Sequence, residues 1–344
     1  MKLPGFDIID KVGEDRLTVI WEANQTSLNR VVSLKILRPQ FASDPGQVRE
    51  FLAEGRVIAQ LKHPGILQVY DVVEKDGVYF FVVEHVSGST LAKVLESDGK
   101  LSAKRSLSMA KQMADALRHA WRASHLLHRN LKPENIHVDS DDHVRVAFFG
   151  HSKVATPMEK GEEEDGTLVG TPYYMSPEQA RCQADLDARS DMYSLGCVLY
   201  QMTTGCVPFE AFDPMTAADK QIADHVPHPR VLVPSLARGV GTLIEGLMVK
   251  DRQFRPANWD AVLDDIGKLL AGKPLIKKLP AEAVSTVEPE QRAAPAPTPA
   301  YRAATAPRRR GLSIPLWVQV PAWGLLTAWW YILAQFMMEY WAAP

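Results

Sequence analysis

The sequence predicts an α+β chain in which a small strand-rich part precedes a larger helical one, followed by a linker and a single apolar segment. Three observations point to it. Runs of strand-forming residues at Leu17 to Ala23, Val31 to Leu37 and Val78 to Glu84 come first, and apolar residues at helical spacing follow to about residue 275. The 344 residues are 46% hydrophobic and 23% charged, as expected of a chain that folds mostly in water, and the length suits about two domains. From Gly311 to Met338 no charged residue occurs.

The bulk composition excludes several function classes. Lys and Arg total 39 against 41 Asp and Glu, a net charge of -2, so no overall electrostatic footprint for nucleic acid exists. Cys182, Cys197 and Cys206 are odd in number and too widely spaced for paired metal ligands, which argues against a disulfide framework or zinc knuckle and fits a reducing compartment. The opening MKLPGFDIIDKVGEDR lacks a basic stretch followed by an apolar run and a small-residue cleavage site, so no secretory signal is expected.

Lys35 falls in an alternating strand with Val32 and Leu34 opposite Ser33 and Lys35. Glu54 lies on a predicted helix whose Phe51, Leu52, Val57, Ile58 and Leu61 form an apolar stripe. Residues 276–310 exchange large aliphatics for Pro, Ala and charge and read as a linker. Residues 311–341 then read as one membrane span, because about 20 apolar residues cross a hydrocarbon core of about 30 Å. Pro321 suits the first turn of that helix, which would run to about Trp341, and Trp317, Tyr340 and Trp341 suit the interfaces. Arg308, Arg309 and Arg310 precede the span and only Glu339 follows it, so the long N-terminal part is expected in the cytoplasm of a single-pass, tail-anchored protein of the cell membrane.

A series of short motifs runs through the globular part. In order these are VSLK at 32–35, Glu54 in FLAEGRVIAQLKHP, HRNLKPEN at 128–135, FFG at 148–150, GTPYYMSPE at 170–178, DARSDMYSLG at 187–196 and Arg255 in KDRQFRP. In this order and spacing they resemble the eukaryotic-like Ser/Thr protein kinases of bacteria over about residues 5–275. The resemblance implies a bilobal fold, with a β-rich N-lobe at about 5–85 and a helical C-lobe at about 86–275. It also implies a nucleotide site formed by Gly13, Lys35, Glu54, Glu84 and Val86, with a Lys35–Glu54 pair aiming the ammonium at phosphates. Lys132 would contact phosphate and Asn135 would bind metal. Arg129, Glu178, Asp191 and Arg255 would organise the catalytic loop and activation segment.

Several positions depart from that pattern where the chemistry should occur. The family's glycine-rich turn reads Gly13, Asp15 and Thr18, so a side chain and a negative charge stand where backbone must approach phosphate closely. The position of the catalytic-loop aspartate is Asn130, which has no titratable carboxylate, and that of the principal magnesium ligand is Phe148, which has no oxygen for a hard cation. Glu162, Glu163, Glu164 and Asp165, ahead of Thr167 and Thr171, read as a solvated charged loop. The expectation is a membrane-anchored pseudokinase that regulates or scaffolds protein partners, binding ATP weakly and with little dependence on Mg2+. The alternative is an active ATP-dependent Ser/Thr kinase with atypical catalytic residues.

Overall fold

The computed structural model describes residues 3–15, 17–147, 172–275 and 286–287, which fall within one compact unit spanning 1–292. Five antiparallel strands open the chain: β1 (Phe6–Glu14), β2 (Thr18–Gln25), β3 (Arg30–Leu37), β4 (Val69–Lys75) and β5 (Val78–Glu84), in the order β1-β2-β3-β5-β4. Each adjacent pair except β3 and β5 is joined by a short turn or follows directly in the sheet. A single turn, α1 (Pro39–Ala42), and then α2 (Pro45–Ala59) fill the connection from β3 towards β4. Asp44 caps α2 by accepting from the Gly46 N–H at 2.8 Å, and Pro45 takes a first-turn position where its missing N–H costs little.

Strand parity assigns the two faces. Val32, Leu34 and Ile36 of β3 pack with Phe80 and Val82 of β5 on one face, where Phe6 meets Phe80 edge to face. Leu37, Phe81 and Val83 belong to the other face, which packs against Phe51, Leu52 and Ile58 of α2. Lys35 pairs with Ile20 of β2 and Phe81 of β5, so the same parity puts it on the face that receives α2. The Phe51 and Phe81 rings stack at 4.1 Å. Gly55 allows this contact, because a Cβ there would come within 2.3 Å of the Phe81 ring.

The second lobe begins with β6 (Ser89–Thr90), α3 (Leu91–Asp98) and the long α4 (Ala103–Ser124). β7 (Ile136–Val138) and β8 (Val144–Val146) join β6 in a small antiparallel sheet that carries the loop from His128 to Asn135. Beyond the next described residue, Pro172, come α5 (Pro177–Ala180), α6 (Ala188–Thr204), α7 (Pro214–Ala223), β9 (Val226–Pro227), α8 (Pro229–Leu232), α9 (Arg238–Leu247) and α10 (Trp259–Leu270). β10 (Thr286–Val287) pairs in parallel with β9. α6 is buried along almost its whole length and α4 packs on both it and α10, so α6 is the axis of this lobe. The strands expected from residue 17, 31 and 78 are present as β2, β3 and β5, with ends shifted by at most two residues.

No helix among the described residues is long and apolar enough to cross a membrane. The expected linker lies outside the described residues except for 286–287, and the expected span at 311–341 lies outside them entirely.

Candidate functional site

The first wall of the site is the turn between β1 and β2. Asp15 organises it: Oδ1 accepts from the N–H groups of Leu17 at 2.8 Å and Thr18 at 2.6 Å, and Oδ2 accepts from the Thr18 hydroxyl at 2.8 Å. The Asp15 N–H donates in return to the Thr18 carbonyl at 2.9 Å. Gly13 sits at a register irregularity of the β1–β2 ladder, and a Cβ there would meet only Ile20 at 3.9 Å. Glu14 binds Lys11 and Arg38, and the Lys11 hydrogen bond leads in holding its carboxyl below the usual range.

Lys35 is buried on β3, across from α2. Glu54 keeps part of its surface exposed, yet its Oε1 is fully buried and has no hydrogen-bond partner. Burial pushes the Glu54 carboxyl up to about 8; Lys35 opposes this, while the charges of Asp15 and Glu50 add to it. Glu54 Oε1 thus makes no hydrogen bond to Lys35. The two groups influence each other, but desolvation outweighs the pull of Lys35 and shifts the carboxyl up.

Glu84 ends β5, where the two lobes join. Its Oε1 accepts from Arg145 Nε at 3.1 Å, its Oε2 accepts weakly from the Gln68 N–H at 3.3 Å, and its own N–H donates to the Gln68 carbonyl at 2.8 Å. Val86, two residues on, packs half-buried against the main core. The Glu84 side chain is thus occupied by β8 and by the approach to β4.

The loop from His128 to Asn135 is held almost entirely through its backbone. Buried Asp191, in the first turn of α6, accepts from the His128 N–H at 2.8 Å and the Arg129 N–H at 2.9 Å. Burial raises the Asp191 carboxyl to about 6, and those two hydrogen bonds restrain the rise. The Asn130 N–H reaches His128 Nδ1 at 3.3 Å, which leaves the imidazole proton on Nε2 to donate to the Ala147 carbonyl at 3.0 Å. Asn135 Nδ2 donates to the Asn130 carbonyl at 2.8 Å, and the Asn135 N–H donates to the Lys132 carbonyl at 2.9 Å. Arg129 adopts φ +60°, a left-handed conformation that a non-glycine residue keeps only where its surroundings enforce it.

Two polar residues that the motifs pass over complete this arrangement. Gln179 donates from Nε2 to the Arg129 carbonyl at 2.7 Å, while its Oε1 accepts from the Ser176 N–H at 3.1 Å as part of a capping box on α5. Ser-Pro-Glu-Gln at 176–179 has the capping-box spacing, so its local role is readable in the sequence; its reach to the loop is not. Ser190 donates to Glu178 Oε1 at 2.7 Å.

Glu178 and Arg255 form a buried bidentate pair at 2.6 and 2.9 Å. The remaining guanidinium donors go to the carbonyls of Val249, Arg189 and Lys250. Burial alone would raise the Glu178 carboxyl, but the hydrogen bond and charge of Arg255 hold it below its usual range. All polar demands of this pair are met, as a buried charge requires.

Phe148, at the position of the family's principal magnesium ligand, lies outside the described residues, as do Glu162 to Asp165, Thr167 and Thr171. The loop itself offers Asn130 and Asn135, whose amides are neutral; the Asn135 Nδ2 bond to the Asn130 carbonyl leaves Oδ1 as the atom a cation would take. Mg2+ favours carboxylate and water oxygens in octahedral geometry, so this donor set does not fit it well. Among the described residues, the one His and Asp group close enough to share an ion is Asp139, Asp141 and His143, on the turn between β7 and β8.

This geometry can be compared with known proteins. The protein kinase domain model matches residues 6–265. Serine/threonine-protein kinase pkn3 of Myxococcus xanthus is 36% identical over 259 residues, covering 73% of this chain and 47% of its own. Serine/threonine-protein kinase PknA of Mycobacterium tuberculosis is 35% identical over 287 residues, covering 81% of this chain and 63% of its own. A probable serine/threonine-protein kinase of Clostridium acetobutylicum is 33% identical over 264 residues, covering 77% of this chain and 40% of its own. The chain thus matches less than two thirds of the length of each of these relatives. With its strand-rich first lobe, helical second lobe and ordered loop at 128–135, the chain belongs to the protein kinase domain family.

Proposed function

We propose that this chain is a kinase-fold regulator or scaffold that binds protein partners without transferring phosphoryl groups, and that residues 311–341 tether it to the cell membrane with the kinase-like domain in the cytoplasm. The catalytic loop carries this reading. Asp191 and Gln179 position its backbone, yet position 130 offers an amide, which cannot accept a proton from a substrate hydroxyl. Loss of one such base typically costs about 10²–10⁴ in rate. Phe148 in place of a metal-binding carboxylate compounds that loss. ATP binding is then weak and largely independent of Mg2+.

The names of the relatives favour a second reading, an active ATP-dependent Ser/Thr protein kinase. Lys132 and Asn135 would then serve phosphate and metal, and a substrate group or water would take the proton. Phosphoryl transfer depends mainly on positioning and charge, so loss of the base alone is less damaging than loss of the metal ligand. Incubating the full chain with radiolabelled ATP and a generic basic protein, beside a Lys35→Met control, separates the two. Incorporation no greater than in the control supports the regulator; incorporation abolished by Lys35→Met establishes the kinase.

A further inference from the structure

The edge of a strand presents backbone N–H and C=O groups with which an extended segment can pair. β9 (Val226–Pro227), between α7 and α8, is such an edge, and among the described residues its strand partner is β10 alone. Val226 is fully buried in the core of the helical lobe. Packing therefore holds β9 from behind, and pairing with β10 is a separate contact on its open side.

β10 comes from a stretch whose composition opposes order. Residues 276–310 are rich in Pro and Ala, yet Val284, Thr286 and Val287 are β-branched and lie in the run AEAVSTVE, bounded by Pro280 and Pro289. Thr286 pairs with Val226 and Val287 with Pro227, in parallel. A second fastening precedes this one. Leu275, five residues past the end of α10, packs half-buried against the main core, and it lies over the first turn of α9, where a Cβ on Gly239 would meet Leu275 at 3.6 Å. The chain beyond α10 is thus attached to the helical lobe at two places, on α9 and on β9.

We propose that β9 is a strand-addition site for an extended β-branched peptide, and that Thr286 and Val287 of the same chain occupy it as a strap. The free tether towards the apolar segment then begins after Val287 rather than at residue 276, and a peptide from another protein reaches β9 only by displacing the strap. This holds whether or not the cleft transfers phosphoryl groups.

The test uses a fluorescently labelled peptide with the sequence of residues 281–290, titrated into the full chain and into a full-chain variant carrying Thr286→Pro and Val287→Pro. The two prolines remove both N–H groups of β10. A segment tethered in cis competes at an effective concentration of order millimolar, so the double variant should bind the peptide at least about tenfold more tightly than the unaltered chain. Amide exchange at Val226 or His228 should quicken about tenfold in the double variant and slow again with saturating peptide, while the amides of α6 keep their protection. If α6 also loses protection, Val287→Pro alone is read in the same way. Equal affinity for the two chains, no binding to the variant, or unchanged exchange at both β9 amides would overturn the proposal. So would a mass that doubles with concentration in the unaltered chain and not in the double variant, because a second copy would then supply the strand.

Discussion

The polar groups behind the loop at 128–135 and those at the front, on the β1–β2 turn and α2, are satisfied to different degrees. Behind the loop, Asp191 accepts two backbone N–H groups, and Glu178 is closed bidentately by Arg255 with Ser190 in support. At the front, Asp15 turns inward on its own loop and Glu54 holds a buried oxygen with no partner. A fully satisfied polar network fixes one conformation, whereas a half-satisfied one costs stability. Behind the loop every cited acid is closed by hydrogen bonds, whereas at the front one buried carboxyl oxygen is not.

Breaking the satisfied side should have the largest effect. Arg255→Met leaves the buried Glu178 carboxylate without its counter-ion and should cost about 3–5 kcal/mol, read from urea unfolding. If that variant is too unstable to measure, the double variant Glu178→Gln with Arg255→Met, which leaves no buried charge, should recover part of the loss. A loss under about 1 kcal/mol for Arg255→Met, the level of a surface pair, would erase the contrast.

A smaller effect of opposite sign is expected at the front. The Glu54 carboxyl is raised to about 8 in the folded chain from an ordinary value near 4.5, so the folded state holds a proton that the unfolded state releases between those pH values. Glu54 therefore lowers stability progressively as pH rises from about 4.5 to about 8. Glu54→Gln imitates the protonated acid. It should flatten that slope and raise the melting temperature at pH 8 by several degrees, while changing little at pH 4.5. Thermal unfolding across this range checks the sign, and a lowered melting temperature at pH 8 would mean that the ionised Glu54 is well paired with Lys35 after all.

The smallest effect is expected where the two lobes join. Arg145 and Glu84 are each about a quarter exposed, and Arg145→Met should cost no more than about 1 kcal/mol by urea unfolding. A larger loss would mean that Glu84 shares the tight bracing found behind the loop.

The sequence makes much of this legible, because strand alternation and the order of short motifs are local signals. Parity alone puts Lys35 on one side of its strand, and the motif around Asp191 marks a residue that binds backbone 62 and 63 positions away. The departures at Asp15 and Asn130 are equally plain as substitutions. Their consequences are less so: the self-closed Asp15 turn depends on Thr18 folding back over it, and the unpartnered Glu54 oxygen depends on how deeply α2 sits against the sheet. Gln179 shows the same limit, since its capping box is a four-residue pattern while its bond to the Arg129 carbonyl spans 50 positions. Family membership fixes the fold, and the departures at individual positions carry the question of activity.

The absence of a side chain at Gly55 has a mechanical result. Phe81 lies where even a methyl group would collide, with Phe51 stacked on the ring, so α2 is keyed into the sheet like a tongue in a slot. Any tilt of the helix would have to unstack two rings and open a void beside them, which interiors packed as densely as crystals resist. A single alanine at position 55 would therefore wedge the helix outward and carry Glu54 away from the lysine with it.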